Sequence, residues 1–225
     1  MSITLQNRSQ ANATINGVSS ATYTADADGV ITNVNQLDVP ALLSAGWRYQ
    51  TASDNDTATG LPAAGVQIPL LSARNTNGSV LAAAASSGEF GCSITLGTSE
   101  QLVGEAAESN TKTDDALFEF RIPDNYVAGT NLTATVNAQV AGSGTPGTKT
   151  VQIKAYAKAN AGTLGANLGP GTATAITTAA ADYPFTITGT NLVAGEILVL
   201  ELESVLQETG GSATITTQIN SLRVS

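Results

Sequence analysis

Histidine is missing from the 225-residue sequence, and this absence excludes much of the usual chemistry of active sites. Without it there is no Ser-His-Asp or Cys-His nucleophile, and the commonest general base and zinc ligand are gone. Glycine-rich phosphate loops of the G-x-x-x-x-G-K-[ST] and G-x-G-x-x-G kinds are also absent, which argues against nucleotide chemistry. We therefore expect a chain that is not an enzyme and uses no cofactor, no metal and no small-molecule substrate.

Cysteine and tryptophan each occur once, and aromatic residues make up only 4% of the chain. The lone Cys92 cannot form an internal disulfide, so the redox compartment stays open. Because it alternates with small apolar residues, we interpret Cys92 as a small core hydrophobe rather than a reactive thiol. One tryptophan and five dispersed tyrosines are a weak signal for a surface that stacks on sugars.

Charge is also scarce, at 12% of residues, and it is mostly negative, with a formal net charge of −9. No run of Lys or Arg is present, which argues against a nucleic-acid partner. No stretch approaches the roughly 20 apolar residues that a membrane helix needs. The first residues lack the basic and apolar regions of a signal peptide, so we expect synthesis in a cytoplasm and no membrane partner.

One pattern occurs twice, roughly 65 residues apart: aromatic-x-aromatic-x-Ile, a polar break, Val-Ala-Gly and a second alternating strand. The copies are FEFRIPDNYVAGTNLTATV at 118–136 and YPFTITGTNLVAGEILVLEL at 183–202. Because side chains alternate across a strand, each copy places its bulky residues on one face. These residues are Phe118, Phe120 and Ile122 in the first copy and Tyr183, Phe185 and Ile187 in the second. We expect equivalent strand pairs in the two halves of a sandwich, with Gly129 and Gly195 at the corners.

Further strand signals predict an all-β fold. They fall at 117–122, 132–140, 150–156, 183–188, 196–206 and 213–224, with about two more between 66 and 97 and a strand expected to begin at Val80–Leu81. About eight antiparallel strands fit a jelly-roll-like β-sandwich better than an immunoglobulin-like one, whose Cys-Trp-Cys core is absent. The polar segments 97–115, 142–147 and 161–170 are interpreted as loops.

The sequence of residues 1–50 predicts a small module that consists of a β-hairpin and a short helix. Strands at 21–25 and 30–34 would pair around the Asp26–Gly29 turn, and Asp38 would cap a helix with Leu42 and Leu43 on its buried side. Such a module buries little surface alone, so we expect it to lean on the main domain or on a partner. The expected partner-binding residues are Leu42, Leu43, Trp47 and Tyr49. Residues 51–65 are interpreted as a linker or arm and 66–225 as the jelly-roll domain.

Two sets of acidic residues were weighed as sites. Asp26, Asp28 and Gly29 match part of a D-x-D-x-D-G calcium loop, but the third acid and the distal Glu are missing, so we favour a plain hairpin turn. Paired carboxylates could serve glycoside hydrolysis, with Glu119, Glu201 and Glu203 as candidates. Since Glu201 and Glu203 alternate with apolar residues, we favour a solvated strand face.

The segment YTADADGVITNVNQLDVPALLSAGW at 23–47 resembles a small module of many structural proteins of tailed bacteriophages. FEFRIPDNYVAGTNLTATV, LVAGEILVLELES and the β-rich C-terminus are similar to jelly-roll virion proteins of such phages, namely head decoration (cement) proteins and related head or tail fibre components. The resemblance implies a homotrimer on the outer surface of the phage head that binds the major capsid protein and stabilises contacts between its subunits. The alternative is a head- or tail-fibre module that recognises host surface glycan.

Overall fold

The computed structural model describes residues 5–7, 10, 12–27, 29–35, 37–49, 61, 65–93, 100–158, 162–211 and 213–225. The chain divides into two compact units, Met1–Ala58 and Thr59–Ser225. Of the segment interpreted as a linker, 51–65, only residues 61 and 65 belong to the described residues. Among the described residues, no helix is long and apolar enough to span a membrane.

The first unit is built from short strands and one six-residue helix. Its elements are β1 (Leu5–Gln6), β2 (Thr14–Asn16), β3 (Thr22–Thr24), β4 (Val30–Ile31), α1 (Val39–Ser44) and β5 (Arg48–Tyr49). Strand β1 pairs with β4 on one side and β5 on the other, whereas β2 and β3 form a separate hairpin. The buried core consists of Leu5, Tyr23, Ala25, Ile31, Val34, Val39, Leu42 and Trp47.

The hairpin predicted from 21–25 and 30–34 is wrong in its pairing. A tight turn does form, because Asp26 and Val30 exchange hydrogen bonds of 3.0 Å from the Asp26 amide to the Val30 carbonyl and 2.8 Å from the Val30 amide to the Asp26 carboxylate. The chain then diverges, since the Ala25 amide donates to the Ala13 carbonyl. Strand β3 therefore pairs with β2, and β4 pairs with β1.

The second unit is an antiparallel jelly-roll-like β-sandwich, as predicted. Its strands are β6 (Val66–Ile68), β7 (Gly91–Ser93), β8 (Gln101–Val103), β9 (Thr111–Arg121), β10 (Leu132–Gly142), β11 (Pro146–Lys158), β12 (Leu164–Asn167), β13 (Thr174–Ala175), β14 (Ala181–Ile187), β15 (Ile197–Glu208) and β16 (Ile215–Val224). Sheet 1 has the order β14-β10-β16-β8-β7, and β6 also pairs with β16. Sheet 2 has the order β12-β11-β15-β9, and β13 also pairs with β11.

The repeated sequence pattern corresponds to a repeated structural unit. The first copy leaves sheet 2 as β9 and enters sheet 1 as β10, and the second copy leaves sheet 1 as β14 and enters sheet 2 as β15. The copies pair with each other in both sheets, because β9 lies beside β15 and β10 lies beside β14. At the corners, Gly129 and Gly195 have φ of +86° and +79°, a conformation that disfavours residues with a Cβ.

The core of the sandwich lies between the sheets and contains the residues that the alternation predicted. The bulky members of both copies are buried, namely Phe118, Phe120 and Ile122 with Tyr183, Phe185 and Ile187. The residue before each Val-Ala-Gly corner, Tyr126 or Leu192, is buried as well. The same alternation of large apolar residues therefore buries one face of β9 and one face of β14 in the core.

Three expected boundaries differ from the structure. The segment 97–115 is not a single loop, since β8 lies within it and β9 begins at Thr111. Polar Thr111–Asp115 are extended because they pair with β15 along its whole length. The loop expected at 161–170 contains β12, and the strand expected at Val80–Leu81 is reduced to one bridge between Val80 and Arg74.

Candidate functional site

In the first unit, a buried carboxylate holds two surface segments together. Asp38 is fully buried and accepts hydrogen bonds from the Ser19 amide (2.7 Å), the Ser19 hydroxyl (2.5 Å) and the Tyr23 hydroxyl (2.6 Å). These hydrogen bonds from Ser19 and then Tyr23 lower the pKa of Asp38, so it stays ionised. Asp38 precedes α1, as expected, but its side chain makes no cap and instead ties the β2–β3 turn to the start of the helix.

This arrangement displays apolar side chains on the surface of the first unit. Val18, next to Ser19, and Leu37, next to Asp38, are each 74% exposed. Since Ser19 donates to Asp38, the segments that carry Val18 and Leu37 are tied together. Exposed apolar side chains mark a protein contact surface where they form a contiguous patch. We call Val18 and Leu37 the apolar pair.

The four residues expected to bind a partner occupy different environments. Leu42 and Trp47 lie in the core of the first unit, and Leu43 is 37% exposed. Leu43 thus lies on the open side of α1 and not on the buried side as expected, because a six-residue helix over so small a core buries only Val39 and Leu42. Tyr49 lies in β5, and its side chain falls outside what the structure describes. Partner binding by these residues stays a prediction.

In the second unit, charged side chains gather on the face of sheet 2 that points away from the core. Lys154 on β11 stands opposite Glu201 on β15, and Glu203 stands opposite Asp115 on β9. The Lys154 ammonium lies 2.8 Å from a carboxylate oxygen of Glu201 and 2.8 Å from one of Glu203. Burial lowers the pKa of Lys154, but the hydrogen bonds that its ammonium donates to both glutamates, together with their negative charges, outweigh burial, and the net shift is upward. We call Asp115, Lys154, Glu201 and Glu203 the charged cluster.

Asp115 is the member of the charged cluster that lacks a full set of contacts. Its Oδ1 is buried and has no hydrogen-bond partner among the described residues. Burial, followed by the charges of Glu203 and Glu201, raises the pKa of Asp115 to about 6. One oxygen from each of Asp115, Glu201 and Glu203 lies within 4.8 Å of the others, a spacing that a metal ion could bridge. The Lys154 ammonium already supplies the positive charge between the two glutamates.

Glycoside hydrolysis needs one protonated and one ionised carboxyl group on opposite sides of a glycosidic bond. Glu201 and Glu203 instead lie on the same side of one strand and share the Lys154 ammonium. Glu119 is paired elsewhere, at 2.7 Å from the Lys158 ammonium. Glu119 therefore takes part in a separate ion pair, and the two glutamates on β15 form an ion-pair cluster with Lys154 on a partly solvated strand face.

The remaining sequence candidates have structural explanations. Asp26 accepts the Val30 amide within its turn, and Asp28 lies outside the described residues. Cys92 packs against the sandwich core, and burial, followed by the charge of Glu100, raises the pKa of its thiol. A neutral, half-buried thiol matches the small hydrophobe that was expected.

Sequence reasoning did not find Asp38 as a buried anchor, the apolar pair, or Asp115 in a strand. Signals for them were weak, since Val18 and Leu37 are isolated apolar residues in polar segments. Asp115 belongs to a polar run that lacks strand propensity. Only the register of β9 against β15 places it opposite Glu203.

Comparison with known proteins finds distant similarity to solved structures. No family model and no curated protein matches the chain. Among solved structures, a xylan-binding domain from Paenibacillus barcinonensis matches with 10% identity and a TM-score of 0.34, over 71% of this chain and 94% of that one. A structure described as that of a CBM4 module matches with 15% identity and a TM-score of 0.33, over 60% of this chain and 87% of that one. A structure of infectious bursal disease virus matches with 16% identity and a TM-score of 0.35, over 99% of this chain and 50% of that one.

These likenesses are too distant to assign a ligand or a family to the chain. They are compatible with the β-sandwich of the second unit, and they include both carbohydrate-binding and viral structures. The chain is described by its fold alone, a β-sandwich in the second unit.

Proposed function

We propose that this chain is a structural virion protein of a tailed bacteriophage, a decoration (cement) protein that binds the outer surface of the head. In this proposal it is a homotrimer that binds the major capsid protein and stabilises contacts between capsid subunits. The observation that carries the proposal is the apolar pair, because Val18 and Leu37 are each 74% exposed and lie next to Ser19 and Asp38, which are hydrogen-bonded to each other.

The distribution of charge supports a protein partner. The net charge of −9 disfavours binding to packaged DNA. Two lysines of sheet 2 are paired with carboxylates, Lys154 with Glu201 and Glu203 and Lys158 with Glu119, which reduces the positive charge this sheet offers to a nucleic acid. An apolar contact in the first unit is therefore a better basis for attachment than an electrostatic one.

Trimerisation explains how so small a surface could attach firmly. A stable protein contact usually buries about 800 Å² per partner, more than two aliphatic side chains provide. Three copies of the surface in one trimer would bind together, and linked contacts gain affinity through their high effective concentration. We therefore expect attachment to depend on the trimer as well as on the apolar pair.

The test is cosedimentation of the protein with phage heads that lack it. Burying a Val or Leu side chain is worth about 1.5–3 kcal/mol, so V18S with L37S should weaken binding at each contact by about 100-fold or more. The matched control is V193S with L71S, which removes two aliphatic side chains that are 51% and 53% exposed on the second unit. Trp47 fluorescence reports whether the first unit stays folded, since Trp47 is buried there.

Binding of the V18S/L37S variant at wild-type strength would refute the assigned contact. Equal losses in both double variants would refute the assignment to the first unit. Particle mass spectrometry tests the wider proposal, because a decoration protein occurs in many copies on the head. A few copies on fibres, together with binding to host cell surfaces, would refute decoration and favour glycan recognition.

A further inference from the structure

A group of buried polar side chains lies inside the sandwich of the second unit, separate from the charged cluster. It consists of Asp114 on β9, Ser204 on β15 and Thr217 on β16, all with 0% exposure. Asp114 and Ser204 stand directly opposite each other in the ladder, so their side chains leave adjacent strands towards the core. Thr217 comes from the other sheet.

Gly104 shows how close the two sheets come at this point. A Cβ on Gly104 would lie 2.5 Å from Oδ2 of Asp114 and 3.5 Å from Cβ of Thr217. Both side chains therefore approach the same position on the Gly104 backbone. The Asp114 carboxylate therefore lies close to the Thr217 side chain and, through the ladder, beside Ser204, and a larger residue at 104 would collide with the carboxylate.

Each of these side chains has an oxygen with no hydrogen-bond partner in the described part of the chain: Asp114 Oδ2, Ser204 Oγ and Thr217 Oγ1. The other carboxylate oxygen, Oδ1 of Asp114, accepts the Glu105 amide at 3.1 Å. The nearby Lys112 ammonium is 3.4 Å from a Glu105 carboxylate oxygen, and no ion pair to Asp114 occurs among the described residues. A buried carboxylate without a compensating charge is costly, so this region calls for a positively charged occupant.

We propose that Asp114 Oδ2, Ser204 Oγ and Thr217 Oγ1 bind a small monovalent cation, of which Na⁺ is the best match. A set made only of oxygen atoms selects a hard cation over a soft one. One carboxylate balances one positive charge, whereas Ca²⁺ or Mg²⁺ would leave an excess positive charge in the core. Mg²⁺ also requires near-octahedral geometry and keeps several waters, for which a fully buried site has little room.

The bound cation would act as a structural element of the sandwich. It joins β9 and β15 of sheet 2 to β16 of sheet 1 through one ion. Because the unfolded chain has no such arrangement of oxygens, the cation binds the folded state and raises its stability with the logarithm of cation concentration once that concentration exceeds the Kd.

The first experiment measures the melting temperature of the full chain in sodium chloride and in N-methylglucamine chloride at equal ionic strength. We expect sodium to raise the melting temperature by about 3–6 °C, the shift that a sodium concentration of about ten times the Kd gives in a domain of this size. D114N and S204A should lose this sodium-specific rise. D124N is the matched control, because Asp124 lies on the surface beside Arg121 and should leave the rise unchanged.

A second experiment detects the ion directly and does not depend on the stability of the variants. Crystals grown with thallium(I), a heavy monovalent cation, should show an anomalous peak between Asp114, Ser204 and Thr217. Equal melting temperatures in the two salts and no anomalous peak would overturn the proposal and indicate water or a proton at Asp114. Stabilisation by calcium chloride but not by sodium chloride would overturn the choice of a monovalent ion.

Discussion

The two neighbouring aspartates of β9 should make this protein more stable at mildly acidic pH than at neutral pH. Asp114 points into the core and Asp115 into the charged cluster. Burial is the largest cause that raises each of their pKa values from 3.8 to about 6. For Asp114 the charge of Glu105 adds to this effect, while the Glu105 amide and Lys112 oppose it.

The sign follows from proton binding in the two states. Between about pH 4 and pH 6 the folded protein binds protons that the unfolded chain has released, so the free energy of unfolding falls as pH rises. For Asp114 the full shift corresponds to at most about 3 kcal/mol, at 1.36 kcal/mol for each pKa unit. Relaxation and water penetration reduce such values, and we expect about 1–2 kcal/mol from this residue.

Urea unfolding in sodium-free buffer at about pH 5 and about pH 7 tests this expectation. Far-UV circular dichroism should be the signal, since the only tryptophan, Trp47, reports the first unit instead. With a slope of about 2 kcal/mol per molar urea, the midpoint should be about 0.5–1 M higher at the lower pH. D114N keeps the shape of the side chain without its charge, so it should raise the midpoint at neutral pH and flatten the pH dependence.

D124N serves as the control, because Asp124 is exposed and paired with Arg121 on the surface. It should keep the pH dependence of the wild-type protein. A wild-type midpoint that is the same at both pH values, or higher at neutral pH, would refute the reasoning about Asp114. So would a D114N variant whose pH dependence equals that of D124N.

Two further predictions concern the opposite ends of the sandwich. The buried Glu208 carboxylate accepts hydrogen bonds from four backbone amides, those of Gly211 (2.8 Å), Gly210 (2.6 Å), Thr145 (3.2 Å) and Ser109 (3.3 Å). These hydrogen bonds lower the pKa of Glu208. E208Q should therefore lower the melting temperature by on the order of 5 °C. Because the pKa of Glu208 is lowered from 4.5, the difference in melting temperature between wild type and E208Q, measured by calorimetry, should be full at neutral pH and shrink as pH falls below about 4.5. An E208Q variant that melts like wild type at neutral pH would contradict this role. At the corner end, G129A should destabilise the protein by about 1 kcal/mol through its φ of +86° alone, since a Cβ there would contact nothing within 4 Å. G171A, also without neighbours within 4 Å but without a positive φ, should be nearly neutral in the same urea titration, and equal effects of the two substitutions would contradict the explanation by backbone strain.

The sandwich was predictable because its signals are local and repeated. Alternation of large apolar residues in Phe118–Ile122 and Tyr183–Ile187 depends only on the strand period, and both segments are buried as predicted. The Val-Ala-Gly corners are turns that glycine marks in any sequence. The jelly-roll-like architecture follows from these elements, because a doubled strand-corner-strand pattern closes most simply as two paired sheets.

The polar features were not predictable for a physical reason. Asp114 and Asp115 occur in a run with low strand propensity, and they form a strand only because β15 offers eleven residues of partner backbone. The contact of Lys154 with Glu201 and Glu203 depends on the register of β11 against β15, and their distance in sequence does not reveal that register. In the first unit the Asp-Gly turn was found, but the pairing of its flanking strands was set by β1 and β2, which are too short to have a sequence signature.

The two units use buried carboxylates in opposite ways, and this difference separates stability from attachment. Asp38 in the first unit has hydrogen-bond donors for its charge and fixes the positions of Val18 and Leu37. Asp114 in the second unit has one donor for one of its oxygens and none in the described residues for the other, so its ionised form opposes folding unless a proton or a cation is bound. Changes in pH or in salt should therefore alter the stability of the sandwich while leaving the apolar pair in place. Attachment measured at about pH 5 and about pH 7 should be nearly equal, even though the unfolding midpoint of the sandwich differs.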